Sequence, residues 1–213
     1  MAKSILGHSI DAYLLNDHDN CKAVAVVLAR QHPGESVSSW LMEGLAGRLM
    51  ELNSPEVLWV IVPMVNVDGV VLGNNRTGLL GYDFNRHWYI DKDTNRVNLF
   101  PELMGIIRYV KRRQKEWSRK VKIFLDLHGH SSQPNVFAFG PPHHRASEHY
   151  DNSRLLPYLI QGKNPDFSVK QSSFQIEANK KHCARSVFFE RLGFPYSYTI
   201  ESSFGIYNHR KIN

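Results

Sequence analysis

The residues best suited to chemistry begin with a histidine and a glutamate in the segment 29–35, which reads ARQHPGE. His32 and Glu35 are three residues apart, so an imidazole nitrogen and a carboxylate oxygen can face one centre, a pair of donors that suits zinc. Such a spacing also arises by chance. A loop histidine beside a helix-capping glutamate is therefore the structural alternative.

A third donor candidate is His128, in the segment 124–130 (FLDLHGH), where a predicted strand ends in a glycine turn. Asp126 is two residues earlier on the same strand face and is a candidate partner that orients the imidazole. Two histidines and one glutamate leave a fourth zinc position open for water, as in catalytic rather than structural sites. His130 is interpreted as one residue out of phase with His128 and is only a substitute ligand. A structural role is the alternative for any single histidine.

Two arginines and a further carboxylate follow other turns and strands. The segments 73–77 (GNNRT) and 83–86 (DFNR) place Arg76 and Arg86 beside asparagines, which suits planar recognition of a carboxylate. Glu201 follows the last apolar run and could act as a general base. A solvated loop arginine and a capping glutamate are the ordinary alternatives.

Apolar runs predict the elements that position these residues. Five short runs are typical of strands covered on both faces, namely 23–29, 57–62, 123–127, 136–139 and 196–200. Helical patterns occupy 36–52, 101–117 and 181–192, the last ending at Gly193. This alternation predicts an α/β fold with a mixed, mainly parallel sheet and helices on both faces. Ligands of such folds bind beyond the carboxyl ends of the strands.

Length and composition indicate one globular domain. The chain has 213 residues, of which 42% are hydrophobic and 22% charged, which argues against disorder. The longest apolar stretch, 57–65, is nine residues and contains a proline, so no membrane partner is expected. No secretory signal is evident, and two cysteines exclude a disulfide scaffold, which favours a cytoplasmic location. The net charge of +6 allows nucleic acid as a partner, although solubility also explains it.

The order of the motifs resembles the zinc carboxypeptidase family. HPGE, PMVNVDG, GNNR, DFNR, DLHGH and YTIESSFG follow one another within residues 24–207. They are most similar to the cytosolic carboxypeptidase branch, the deglutamylases that trim tubulin and other proteins. The resemblance implies one catalytic domain over 1–213, a zinc-dependent metallocarboxypeptidase that removes C-terminal residues, mainly Glu, from protein tails.

The resemblance also implies a role for individual residues. The implied ligands of one Zn²⁺ are His32, Glu35 and His128. Asn85 and Arg86 would bind the C-terminal carboxylate of the substrate, and Arg76 would polarise the scissile carbonyl and hold the developing oxyanion. Glu201 would activate the zinc-bound water and then protonate the leaving amine.

The preference for acidic residues depends on Arg185. Its segment 183–190 (CARSVFFE) resembles the family's segment whose arginine lies in the side-chain pocket, where it would pair with Glu or Asp. A helix-surface arginine is the alternative. The resemblance implies acidic tails such as those of tubulin as partners, and the net positive charge and the basic stretch 111–122 fit such tails better than nucleic acid. Such a run is also common on a solvated helix face.

The sequence departs from the family in several places. Val67 stands where the family has proline, and the segment 180–183 (KKHC) replaces a Glu-Gly-Thr run near the pocket entrance. Tyr196 and Tyr198 lie near Glu201 in sequence, but neither is assigned as a phenol proton donor. The short ends suggest a core truncated at both ends, without the N-terminal β-sandwich domain and the closing C-terminal helix of relatives.

Two other functions stay open. The first is an aspartoacylase-like zinc amidohydrolase acting on a small N-acyl amino acid, against which the motifs HPGE, DLHGH and YTIESSFG argue. The second is a truncated pseudoenzyme that binds acidic tails without cleaving them. The short ends favour the pseudoenzyme, whereas the intact ligand set and Glu201 oppose it.

Overall fold

The computed structural model describes residues 1–52, 55–89 and 95–206, so residue 207, where the resemblance ends, lies outside the described residues. The strands are β1 (Ala2–Lys3), β2 (Ser9–Ile10), β3 (Tyr13–Leu15), β4 (Ala23–Ala29), β5 (Val57–Val62), β6 (Val121–His130), β7 (Val136–Phe139) and β8 (Tyr196–Ser203). The helices are α1 (Val37–Leu52), α2 (Val67–Val71), α3 (Asn95–Leu99), α4 (Pro101–Arg113), α5 (His149–Lys163) and α6 (Ala184–Glu190). Short 3₁₀ turns occupy Phe84–Arg86 and Ala178–Lys180.

Six strands form one sheet in the order β3-β5-β4-β6-β8-β7. The four central strands are parallel, and the outer strands β3 and β7 are each antiparallel to their neighbour. The remaining strands, β1 and β2, pair with each other. The predicted mixed, mainly parallel sheet is therefore confirmed.

Helices cover both faces of this sheet, which explains why β4 and β5 are apolar along almost their whole length. On one face, Met42 of α1 packs with Val27 and Ile61. On the other face, a larger cluster joins Val26 of β4 to residues of α4 and α6, among them Ile106. The sheet is thus the middle layer of three, and the loops at its carboxyl end stay accessible.

The helices depart from prediction in three ways. Helix α4 ends at Arg113, several residues earlier than predicted, and α6 is shorter than its predicted span, with Gly193 beyond it in the left-handed region at φ 66°. Helix α5 was not predicted, because it contains Pro157 and buries only that proline and Ser153. The short helices α2 and α3 were not predicted either.

The length and hydrophobicity of the helices were compared with those of membrane-spanning helices. In the described ranges, no helix is both long enough and apolar enough to cross a bilayer.

Candidate metal centre

Three elements bring the candidate ligands together at the carboxyl end of the sheet. His32 and Glu35 lie in the connection between β4 and α1, and His128 lies near the end of β6. Glu201 lies on β8 directly beside His128 in the parallel register. Strands β4, β6 and β8 are neighbours, so residues far apart in sequence meet at one edge.

The three candidate ligands converge on one point. Glu35 Oε1 is 2.6 Å from His32 Nδ1, and Glu35 Oε2 is 2.9 Å from His128 Nδ1. The two Nδ1 atoms are 3.2 Å apart, and both imidazoles are buried. One donor atom from each residue can therefore reach a single ion.

The opposite nitrogen of each imidazole faces a carboxylate. His32 Nε2 is 3.0 Å from Asp83 Oδ1, and His128 Nε2 is 2.8 Å from Asp126 Oδ2. Carboxylates only accept hydrogen bonds, so each Nε2 is placed to donate a proton to its carboxylate, which would leave Nδ1 as the atom that coordinates a bound ion. The partner predicted for His128 is confirmed by this contact, whereas Asp83 was not predicted to contact His32.

This arrangement fits a zinc ion. Two buried imidazoles and a largely buried carboxylate face one another, so a positive charge is needed between them, which protons on the imidazoles or a bound metal ion can supply. Burial alone would raise the pKa of Glu35, but hydrogen bonds to His128 and His32 hold it well below its ordinary value. The glutamate is therefore the ionised ligand that zinc requires.

Backbone contacts fix the loop that carries His32 and Glu35. Arg30 has a positive φ of 56°, and its Nε and Nη2 donate to the carbonyl of Pro33 at 3.1 and 2.8 Å. A Cβ on Gly34 would lie 2.8 Å from the backbone carbonyl oxygen of Asn75, so this position requires glycine. Together these contacts hold the loop against a neighbouring turn.

A hydrogen-bonded chain behind the site orients His128. The indole nitrogen of Trp88 donates to Gln31 Oε1 at 2.7 Å, and Gln31 Nε2 donates to Asp126 Oδ1 at 2.6 Å. Trp88, Gln31 and Asp126 are fully buried. The bond from Gln31 to Asp126 Oδ1 orients the carboxylate and leaves Oδ2 beside His128 Nε2 at 2.8 Å.

Glu201 lines the same cavity of about 440 Å³ as the three candidate ligands. Burial raises its pKa to about 7, and the charges of Glu35 and Asp126 act in the same direction, against those of His128 and His32. A carboxyl group with a pKa near neutrality can both take up and release a proton.

Arg76, Asn85 and Arg86 line this cavity as well. Arg76 is half exposed and bonds Asp83 Oδ2 through Nε at 2.9 Å and Nη2 at 2.8 Å. Asn85 Oδ1 accepts from the backbone N–H of Ala184 at 2.8 Å, and Arg86 Nη1 donates to the carbonyl of Asn85 at 2.7 Å. The structure thus brings together the residues that the sequence placed in two separate motifs.

Arg185 lies in the wall of an adjoining cavity of about 170 Å³ that Glu201, Asn85 and Arg86 also line. It is only 4% exposed, so the alternative of a helix-surface arginine is wrong. Nη1 donates to the carbonyl of Gly140 at 2.7 Å and Nη2 to that of Gln175 at 3.2 Å. Its Nε has no partner in the described part of the chain.

The structure also gives the positions of His130, Tyr196 and Tyr198, which lie near the candidate centre in sequence. Strand β6 continues through His130, so His130 shares the face of His128 and is not out of phase, and its Nδ1 accepts from two backbone N–H groups of the following turn. The Tyr198 hydroxyl donates to the carbonyl of Ser153, and that of Tyr196 is 3.0 Å from His149 Nδ1. Neither phenol lines the two cavities.

A buried His-Glu-His cluster with a neighbouring carboxylate, at the carboxyl end of a mainly parallel sheet, defines a class of metal-dependent hydrolases. A family model described as zinc carboxypeptidase matches residues 1–209, and the chain belongs to that family. The family predicted from the motifs is therefore confirmed.

Individual relatives agree with this assignment. Cytosolic carboxypeptidase 2 of Mus musculus is 36% identical over 192 residues, which is 86% of this chain and 21% of the relative, so the chain spans about a fifth of that protein. A metallo-carboxypeptidase from Pseudomonas aeruginosa, solved in complex with (2-guanidinoethylmercapto)succinic acid, has a TM-score of 0.74 and 26% identity over 95% of this chain and 54% of its own. A metallo-carboxypeptidase from Burkholderia cenocepacia shares the fold, with a TM-score of 0.78 and 24% identity over 95% of this chain and 54% of its own.

Proposed function

We propose that residues 1–213 form one catalytic domain, a metallocarboxypeptidase that releases the C-terminal residue of protein tails. The observation that carries the proposal is the convergence of His32, Glu35 and His128 beside Glu201 in one cavity. The three residues would hold one Zn²⁺. When bound, the ion supplies a Lewis acid that polarises a carbonyl group and lowers the pKa of water.

Glu201 is the proposed general base. It takes a proton from the attacking water and passes it to the amine that leaves, and a pKa near neutrality suits both steps. Arg76 donates hydrogen bonds to the carbonyl oxygen as negative charge develops there. Its pairing with Asp83 keeps the guanidinium in the wall of the cavity that contains the candidate ligands.

Asn85, Arg86 and Arg185 are the proposed substrate-binding residues. Asn85 and Arg86 take the C-terminal carboxylate, and Arg185 pairs with the side chain of a terminal Glu through the N–H groups that its two backbone contacts leave unused. We propose acidic protein tails, such as those of tubulin, as substrates in the cytoplasm. The names of the cytosolic carboxypeptidase relatives support this location.

The test is the release of free amino acid by zinc-loaded protein. Peptides that end in Glu, matched peptides that end in Leu, and N-acetyl-aspartate are incubated separately. Release of Glu with little or no Leu is expected. Acetate release from N-acetyl-aspartate would favour the amidohydrolase instead, and stoichiometric zinc without any product would favour the pseudoenzyme.

A further inference from the structure

The net positive charge of the chain comes from one segment. Residues 111–122 (KRRQKEWSRKVK) contain seven Lys and Arg against one Glu, a net charge of +6, which equals that of the whole chain. The other residues carry nineteen Lys and Arg against nineteen Asp and Glu. Charge is therefore concentrated where α4 ends and β6 begins.

Two cations of this segment make local contacts, and only one of these two pairs with carboxylates. Arg113 pairs with Asp17 and Glu116, and Lys120 donates to backbone carbonyls that include that of Cys21. The other cations of the segment, which we call the basic rim, are Lys111, Arg112, Lys115, Arg119 and Lys122. Within the described ranges none of them has a carboxylate partner.

Two residues of the basic rim, Arg119 and Lys122, line a cavity of about 550 Å³ at the amino end of the parallel strands. Arg119, Lys122, His143 and His149 line it, and no acidic residue is among the described residues of its wall. The nearest contact with a carboxylate is from His149 Nε2 to Glu148 at 3.5 Å, and Glu148 is 87% exposed. Lys122 is six residues before His128 on β6, so this cavity is about 20 Å from the candidate metal centre.

The aromatic rings in this cavity are half-buried and pack on one another. The His143 ring lies edge-on to Phe189 at 5.0 Å, and the His149 ring lies edge-on to Tyr196 at 5.4 Å. Nucleic-acid sites of low sequence specificity combine cations with open aromatic faces on which bases stack. Here the cations Arg119 and Lys122 are the prominent groups and the rings pack on one another, which favours an acidic polypeptide.

We infer that the basic rim and its cavity dock an acidic polypeptide segment at the end of the sheet opposite the candidate metal centre. The inference rests on the proposed function, because a substrate with a long acidic tail would then be held at two places. Uncompensated cations attract such a segment over long range and raise its local concentration. Binding should weaken with salt because the rim is exposed.

The test is a binding measurement that needs no turnover. A fluorescent glutamate-rich peptide of about twelve residues, roughly 40 Å when extended, carries a C-terminal amide so that it lacks the carboxylate recognised by the proposed active site. Its anisotropy is followed with the full chain and with the Arg119→Glu, Lys122→Glu double variant. The matched control, Lys163→Glu with Lys170→Glu, changes the net charge equally at two exposed positions outside the cavity.

Charge reversal at the rim is expected to weaken binding on the order of tenfold or more, and the control by much less. Equal loss in both variants would overturn the inference, since it would indicate an effect of net charge alone. Tighter binding of a single-stranded oligonucleotide of equal charge would overturn the choice of an acidic polypeptide.

A kinetic measurement on two substrates distinguishes failure of this inference from failure of the proposed function. The rim variant should raise KM for a long acidic substrate and leave kcat/KM for an N-acylated Glu-Glu dipeptide unchanged. Equal loss on both substrates would contradict docking at the rim. Absence of turnover in the wild-type chain would remove the proposed function while leaving the binding result to stand.

Discussion

The charged groups at the two ends of the parallel sheet differ in burial and in pairing. At the carboxyl end, His32 and His128 are buried, and each faces carboxylates on both sides of its ring. At the amino end, Arg119 and Lys122 line an open cavity without a carboxylate partner in the described ranges. Paired and buried groups fix geometry within tenths of an ångström, whereas unpaired exposed groups act over distance and depend on salt.

This difference indicates which end of the sheet can perform chemistry. Chemistry needs donors held at defined positions in a site of low dielectric, and the carboxyl end supplies them. The amino end has charge without defined geometry, so it can attract a partner but cannot orient reacting atoms. Changes at the carboxyl end should therefore alter turnover and metal affinity, and changes at the amino end should alter docking alone.

The largest effect is expected for Glu201→Gln. The amide keeps the shape of the side chain but cannot accept the proton of water, so kcat should fall by roughly 10²- to 10⁴-fold. Zinc binding should persist, because Glu201 is not among the three candidate ligands. Steady-state kinetics with metal analysis check both points, and Glu43→Gln at an exposed position of α1 is the control. An active Glu201→Gln variant would remove Glu201 from the role of base.

Asp83→Asn should have the next largest effect. The change replaces the acceptor of His32 Nε2 and weakens the hold on Arg76, so zinc affinity should fall by about 10- to 100-fold. Competition with a chromogenic chelator measures the affinity. Asp17→Asn is the matched control, since it breaks an ion pair with Arg113 away from the candidate centre and should leave zinc affinity unchanged. Equal affinity in both variants would show that Asp83 does not orient the ligand.

Arg185→Gln tests the adjoining cavity. Loss of the buried guanidinium should lower the preference for Glu over Leu by about tenfold or more, as expected for a charge-assisted hydrogen bond. The ratio of kcat/KM for paired peptides reports this preference, and the stability of the variant is measured alongside, because Arg185 also holds the Gly140 carbonyl. Unchanged selectivity in a folded variant would place the determinant elsewhere.

The smallest effect is expected for the stability of the Arg119→Glu, Lys122→Glu variant. Neither cation has a carboxylate partner within the described ranges, so reversal should change the free energy of unfolding by less than about 0.5 kcal/mol per site. Urea denaturation checks this value. A loss of several kcal/mol would mean that the basic rim stabilises the fold, which would weaken the contrast between the two ends.

Much of the scaffold follows from local patterns in the sequence. Strands β4, β5 and β7 have the predicted bounds, because a strand covered on both faces must be apolar at nearly every position. Helix α5 escaped prediction for the opposite reason. Its contact with the core is narrow, because Leu155 and Leu159 are exposed and the buried residues are Ser153 and Pro157, so its apolar residues do not mark the face that packs.

The candidate site was predictable in its residues but not in its contacts. His32, Glu35 and His128 follow predicted strands at motif spacing, and the parallel sheet brings those strand ends together. The contact between His32 and Asp83 spans 51 residues and crosses a loop whose path no local pattern determines. The only local feature that singles out Asp83 is its position two residues before Asn85, which suits the cap of a 3₁₀ turn. Its side chain does accept a hydrogen bond from the Asn85 backbone N–H.

The most direct test of the central claim is a zinc titration of the metal-free chain with two readouts. Bound metal and glutamate released from a peptide that ends in Glu are measured on the same samples. Both are expected to rise together and reach a plateau at one zinc ion per chain. Zinc bound at that ratio with no glutamate released, or glutamate released without zinc, would contradict the central claim.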